Sequence, residues 1–268
     1  MSATGPDSIP PRARREPPRF RRVAVRSVRA RSPHLVGITL AGEELEGLTI
    51  EEPAASVRLL LPRVPGLPLV VPQWNGNEFL LPDGHRPVIR TFTPRRVDAD
   101  ALELDIEVVV HGEGVASRWA EAAAPGREAA ISGPGRGYTI DPAAPAFLLA
   151  GDESAIPAIS QLLELLPDVP TQVHIEVSRP DARVALADHP RATVAWHDLP
   201  RGEPSGTAFV AAVRDAELPE GVRVWVAGEA AAVQRVRKYL FDERGVPRAQ
   251  GTVRGYWKHG RAGDNDEK

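Results

Sequence analysis

The fold turns on AFLLAGDESAIPAISQLLELL, residues 146–166. Residues 146–150 run without a polar break, a length and composition that suit a strand buried on both faces. Gly151 turns the chain, and Ile156, Ile159, Leu162 and Leu163 then recur at helical spacing. Pro157 fits only near the start of that helix, where the early amides have no intrahelical partner to lose. Strand, glycine turn and helix make one unit of a parallel sheet, and the unit recurs downstream. TQVHIEV (171–177), TVAWHDL (193–199) and RVWVAG (223–228) read as strands, GTAFVAAVRDA (206–216) and AAVQRVRKYLFDER (231–244) as helices. Apolar strands alternating with helices predict an α/β domain whose parallel sheet is covered on both faces.

Upstream the period changes from 3.6 to two. VGITLA (36–41), SVRLLLP (56–62), PVIRTFTP (87–94), ALELDIEVVV (101–110) and EAAISGP (128–134) are short apolar runs separated by Gly/Pro clusters. They predict an antiparallel barrel or sandwich, interrupted by one helix over about 115–123. The Gly/Pro-rich stretch 138–145 reads as the seam. The expected organisation is a disordered Pro/Arg-rich leader over 1–18, a barrel domain over 19–140, an α/β domain over 145–260 and a flexible tail over 261–268.

With 268 residues, 42% hydrophobic and 26% charged, the chain can bury a core without disulfide staples, and collagen or coiled-coil readings fail. The formal charge of −3 gives no electrostatic reason to expect nucleic acid or an anionic membrane as partner. Arg19, Arg21, Arg22, Arg26, Arg29 and Arg31 alternate with Phe20, Val23, Val25 and Val28, which suggests a strand with a basic solvent face. Cysteine is absent, so iron–sulfur clusters, disulfide scaffolds and thiol nucleophiles are excluded and redox chemistry would need a borrowed cofactor. The seven histidines form no short-spaced pair of the kind that builds a transition-metal site. No apolar run approaches the ~18–20 residues of a membrane span, and the N-terminus lacks the apolar core of a signal peptide. A cytoplasmic monomer without a membrane partner is the expectation.

Four stretches could carry chemistry. Arg90-Thr91-Phe92-Thr93 offers a fork for phosphate, a flat ring and hydroxyl donors at a strand end, with Arg90 and Phe92 on one face; an ordinary strand with one core aromatic is the alternative. His111-Gly112-Glu113-Gly114-Val115-Ala116-Ser117-Arg118-Trp119 follows a strand and opens a helix, where free amides attract phosphate; a glycine turn capped by Ser117 would look the same. Gly151-Asp152-Glu153-Ser154-Ala155 and Gly228-Glu229 end two of the parallel strands. Asp152, Glu153 and Glu229 suit acid/base work or, equally, helix capping. Ligands gather at domain interfaces and at the carboxyl ends of parallel strands, where these stretches fall.

Taken in order, RTFTPR (90–95), HGEGVASRWA (111–120), ISGPGRG (131–137), LLAGDESAIPAI (148–159), VAGEAAAVQRVRKYL (226–240) and RGYWKHG (254–260) resemble the siderophore-interacting protein family. Its members are NAD(P)H-dependent ferric-siderophore reductases related to ferredoxin reductases. The resemblance implies an N-terminal antiparallel six-stranded FAD-binding β-barrel and a C-terminal parallel-sheet, Rossmann-like NAD(P)H domain. It implies that Arg90 pairs FAD phosphate and that Thr91 lies beside it. Phe92 stacks on the ring, where the family commonly has tyrosine, and Thr93 donates near flavin N5. It further implies that His111, Gly112, Gly114, Val115, Ala116, Ser117 and Trp119 form the remaining phosphate site. Gly151 to Ala155 and Gly228-Glu229 would then hold the nicotinamide nucleotide.

The implied reaction passes electrons from NADPH or NADH through FAD to an Fe(III)-siderophore, releasing Fe(II) for assimilation. A general ferric-chelate reductase and a non-catalytic siderophore-binding protein are the alternatives. Such chelates are often anionic, so Arg95, Arg96, Arg254 and Lys258 are the candidate substrate cations. Lys258 stands out in a chain with 3 lysines against 30 arginines. The nucleotide preference stays open: Arg179 suits a 2′-phosphate, and Asp181 suits a free ribose hydroxyl.

Overall fold

The computed structural model describes residues 19–64, 66–112 and 114–260; the expected leader and tail lie outside them. The first half is a seven-stranded antiparallel sheet. It contains β1 (Arg21–Ser32), β2 (Leu35–Ala41), β3 (Val57–Leu61), β6 (Val88–Phe92), β7 (Pro94–Asp98), β8 (Glu103–Val109) and β9 (Glu128–Ser132), in the order β6-β3-β9-β1-β2-β8-β7. Alternation along each strand sends one set of residues inward. Val57, Leu59, Leu61, Leu104, Ile106 and Ile131 build the barrel core, while Leu60 points the other way onto Phe20, Leu69 and Ala130. Helix α1 (Val115–Glu121) closes one end of that core with Trp119. The two-residue strands β4 (Gln73–Trp74) and β5 (Phe79–Leu80) form a separate hairpin.

The two edge strands of this sheet, β6 and β7, are consecutive in sequence with only Thr93 between them. Before Thr93 the chain pairs with β3; after it the chain pairs with β8. The expected six strands become seven because one strand breaks there, and Thr93 marks where the sheet curls round on itself.

The second half is a five-stranded parallel sheet of β10 (Phe147–Gly151), β11 (Thr171–Val177), β12 (Ala192–Asp198), β13 (Arg223–Glu229) and β14 (Gly251–Trp257). Helix α2 (Ile156–Leu165) covers one face; α3 (Thr207–Asp215) and α4 (Ala230–Lys238) cover the other. Successive β10 residues serve opposite cores, Phe147 and Leu149 packing toward α2 and Leu148 and Ala150 toward α3 and α4. Leu149 is fully buried, and truncating such a side chain to alanine costs about 2–5 kcal/mol. The stretch expected as one helix over 231–244 ends its α-helical part at Lys238 and continues as a π turn, Tyr239–Glu243.

The strand order β12-β11-β10-β13-β14 reverses direction between β10 and β13. In open parallel sheets the crevice at that reversal, outside the carboxyl ends of the strands, is where ligands bind.

The two halves share packing. Leu35, Ala54 and Tyr138 belong to the same buried cluster as α2 and the parallel sheet. Gln161 of α2 donates from Nε2 to the carbonyls of Pro94 (2.7 Å) and Arg95 (3.3 Å) and accepts from the Ala54 amide through Oε1 (3.0 Å). All three of these bonds cross the interface.

Candidate active site

The site begins where β6 ends. Val88 and Phe92 pack against the barrel core and Ile89 against the opposite cluster, so Arg90 shares the inward face with Phe92, as alternation requires. Arg90 Nη1 donates to the Ile89 carbonyl at 2.9 Å, Thr91 is exposed and Phe92 stays half-buried. Pro94 pairs with Ile106, and β6 also approaches β8, the strand that leads into the next turn.

That turn is tied down by Ser117, as in one of the two readings of its sequence. Ser117 is 2% exposed, and its Oγ accepts from the amides of His111 (3.0 Å) and Gly112 (3.2 Å). Those two amides are therefore satisfied within the protein, and Ser117 serves as the cap of a glycine turn. Trp119, implied at the cofactor, instead lies in the barrel core at 5% exposure. It stands four residues after Val115 on the helix face that packs inward. Val115 and Ala116 pack beside it, and their amides stand in the first helical turn, where no intrahelical acceptor exists. Glu113 lies outside the described residues.

Across the interface the strand ends of the α/β half converge on Asp152. Its Oδ2 accepts from the Glu229 amide and from Trp257 Nε1, both at 2.8 Å, while Oδ1 accepts from the amide (3.0 Å) and hydroxyl of Ser154. Burial raises this carboxyl above its ordinary range, against the opposing pull of those donors. One side chain thus binds the ends of β10, β13 and β14 together. The approach is close enough to need glycine twice: a Cβ at Gly228 would lie 2.6 Å from Asp152 Oδ2, and one at Gly151 2.2 Å from the Ala227 carbonyl oxygen.

Glu229 caps α4, accepting from Ala231 (2.6 Å) and Ala232 (3.0 Å), and takes the His259 amide at 3.2 Å. Burial would raise its carboxyl, but these amides outweigh that and hold it below the usual range. Glu153 accepts from the amide and hydroxyl of Ser178, and Ala155 is fully buried. Asp152 and Glu229 cap helical turns, and Glu153 ties down Ser178 after β11.

Three of the four candidate substrate cations are engaged elsewhere. Arg95 pairs with Glu164 of α2, which pushes its guanidinium higher still, and so ties barrel to α/β half. Arg96 lies among Asp98, Glu103 and Asp105 of its own sheet. Arg254 donates to the carbonyls of Gly137 (2.6 Å), Arg136 (3.0 Å) and Ala54 (3.4 Å). Lys258 is exposed and makes no ion pair with any described residue.

The residue that joins the two halves of the site is one that sequence reasoning passed over. Tyr256 of β14 lies beside Thr93, which is itself 7% exposed at the break between β6 and β7. Burial raises the Tyr256 phenol, with the neighbouring Thr93 hydroxyl opposing, and its ring stands edge-on to Trp225 at 6.3 Å. Tyr256 and Trp257 both lie in the RGYWKHG stretch, whose charges drew attention first.

A guanidinium, exposed and buried hydroxyls, first-turn amides and a half-buried aromatic along one rim form the donor set that a flavin dinucleotide needs, so these residues fit the group. The model of the siderophore-interacting FAD-binding domain matches residues 24–138, and that of the siderophore-interacting protein matches residues 144–260. The chain is 42% identical over 194 residues to an uncharacterised protein of Mycobacterium tuberculosis, covering 68% of this chain and 69% of that one. It is 31% identical over 237 residues to the ferric vibriobactin reductase ViuB of Vibrio cholerae, covering 86% of each. A siderophore utilization protein from T. fusca superposes with a TM-score of 0.82 at 32% identity, over 93% of this chain and 97% of that one. With its barrel matched as a FAD-binding domain and its parallel sheet matched by the companion model, the chain belongs to the siderophore-interacting protein family.

Proposed function

We propose that this protein is a ferric-siderophore reductase, passing electrons from NAD(P)H through FAD to an Fe(III)-siderophore and releasing Fe(II). The observation that carries the reading is the meeting of Thr93 and Tyr256, which brings the rim of the FAD-binding barrel against the strand ends where a nucleotide would lie. Bound FAD supplies the conversion between a two-electron hydride donor and a one-electron acceptor. Arg90, Thr91 and the amides of Val115 and Ala116 hold its pyrophosphate, and Phe92 supports the ring. Thr93, beside Tyr256, brings a hydroxyl to the junction. The turn 151–155 and Gly228 form the floor on which the nicotinamide rests, held together by Asp152, whose close approach needs glycine at 228. Lys258 faces an anionic chelate. Iron stays on the hard oxygens of its chelator until reduction weakens their grip, so the protein need not ligate it. The use of a reduced pyridine nucleotide, plentiful in the cytoplasm, supports that location.

The test is an anaerobic titration of the purified protein. Bound FAD should give a flavin absorption spectrum, bleach with NADH or NADPH, and recover on addition of a ferric siderophore. A protein that takes up no FAD, or whose flavin neither nucleotide bleaches, refutes the proposal.

A second reading is favoured by the pairing of Arg95, Arg96 and Arg254: a general ferric-chelate reductase with little preference for anionic siderophores. Equal turnover of neutral and anionic chelates would support it.

A further inference from the structure

We infer that the nucleotide is NADPH, recognised through its 2′-phosphate by Arg179. The inference rests on the α/β half being the nucleotide domain. In a sheet of this order the adenosine ribose lies over the end of the strand beside the first, here β11 beside β10. At that point an acid selects a free 2′-hydroxyl and an arginine a 2′-phosphate.

Three of the four acids near the end of β11 are hydrogen-bonded, and the fourth faces a histidine. Glu176, 2% exposed, accepts from the amides of Gly206 (2.6 Å), Ala208 (2.7 Å) and Phe209 (3.2 Å) and thereby caps α3 on the far face of the sheet. Asp181 lies 3.3 Å from His34 Nε2 of the barrel half. Asp198, at the end of β12, holds Arg183 at 2.7 Å. Glu153 is bound to Ser178. Arg179, next in sequence, is exposed, and its side chain makes no hydrogen bond or ion pair with any described residue. The position that reads the ribose therefore offers an uncompensated guanidinium, whose planar fork matches a phosphate. Glu153 opposes it, since its carboxylate stands against Ser178 and repels a phosphate there.

Calorimetric titration of the FAD-loaded protein with 2′,5′-ADP and with 5′-AMP isolates this contact from catalysis. The wild type should bind 2′,5′-ADP about tenfold or more tightly than 5′-AMP, the value of one charge-assisted contact. Arg179→Ala should bring the two within about threefold while 5′-AMP affinity persists, which also shows that the fold is intact. Glu153→Gln, still an acceptor for Ser178, should widen the wild-type gap. Equal affinities in the wild type, a preference that survives Arg179→Ala, or NADH bleaching the flavin more efficiently than NADPH would overturn the inference and leave the reductase reading standing. Failure of both ligands to bind, with neither nucleotide bleaching the flavin, would overturn both.

Discussion

Replacing Arg254 by alanine separates two roles that make opposite predictions. As a substrate cation its loss would raise KM for an anionic chelate and leave stability alone. As the structure has it, the guanidinium bridges β14 to the carbonyls of Gly137 (2.6 Å), Arg136 (3.0 Å) and Ala54 (3.4 Å). A hydrogen bond from a charged donor is worth about 1.5–3 kcal/mol. Only the Gly137 contact is both short and partly buried; the longer two rehydrate more readily, so the expected loss is about 2–3 kcal/mol rather than three times the single value. For a chain of this size that lowers the thermal midpoint by roughly 5–10 °C. Differential scanning calorimetry of the FAD-loaded variant reads the shift directly. KM for a ferric siderophore, measured well below the midpoint, should stay within about twofold of the wild type. An unchanged midpoint with a raised KM would refute the clamp and return Arg254 to the substrate pocket.

Arg90→Ala should weaken FAD retention by about 1.5–3 kcal/mol, seen as flavin fluorescence appearing on dilution; unaltered affinity would remove Arg90 from the phosphate site. Lys258→Ala should raise KM for an anionic ferric siderophore while leaving flavin reduction by NAD(P)H intact, whereas equal loss in both half-reactions would mean a folding defect. Stability should also fall on mild acidification. His174 Nδ1 and His197 Nε2 stand 3.1 Å apart, and burial pushes both rings below the ordinary 6.5; His197 adds to the shift of His174, and Asp198 partly opposes that of His197. The unfolded chain binds protons that the folded chain refuses, so this contribution is complete above about pH 6.5 and is lost as pH falls toward the folded values. His174→Gln should flatten the decline of the midpoint between about pH 7 and pH 5, and a wild-type midpoint already flat there would refute the assignment.

How much of the fold the sequence reveals depends on how local each signal is. The strands over 147–151 and 223–229 announce themselves because both faces are buried and their residues are apolar in succession. β14 does not: of its seven residues only Val253 is buried, so it carries no run and no clean alternation. β4 and β5 are two residues each, too short for any period. The break at Thr93 is invisible in sequence because alternation runs smoothly through PVIRTFTP into Arg95 and Arg96; only the change of partner from β3 to β8 divides the two strands. Site residues show the same division. Gly151 and Gly228 stand out as turns at strand ends. The role of Ser117 depends on where its hydroxyl points, and that of Trp119 on which face of α1 meets the barrel. Arginine roles are the least legible, since Arg95 meets Glu164 and Arg254 meets Gly137 across long sequence separations.

The fate of those arginines bears on selectivity. Electron transfer between a bound nucleotide and a flavin requires the two held at contact distance, and a displacement of about 1 Å can cost 10²-fold in rate. The nucleotide floor and the flavin rim belong to different halves of this chain, so their separation is only as well defined as the interface. Gln161, Arg95–Glu164 and Arg254 cross it at separate points, and Tyr256 lies beside Thr93 at the junction itself. Two cations that sequence alone would assign to the substrate thus serve geometry instead. A third, Arg96, is neutralised within its own sheet. On the proposed reading, Lys258 is the one of the four candidate cations left to meet an anionic chelate. Discrimination among chelates should rest more on the shape of the cleft than on their charge, and added salt should weaken binding less than four free cations would require.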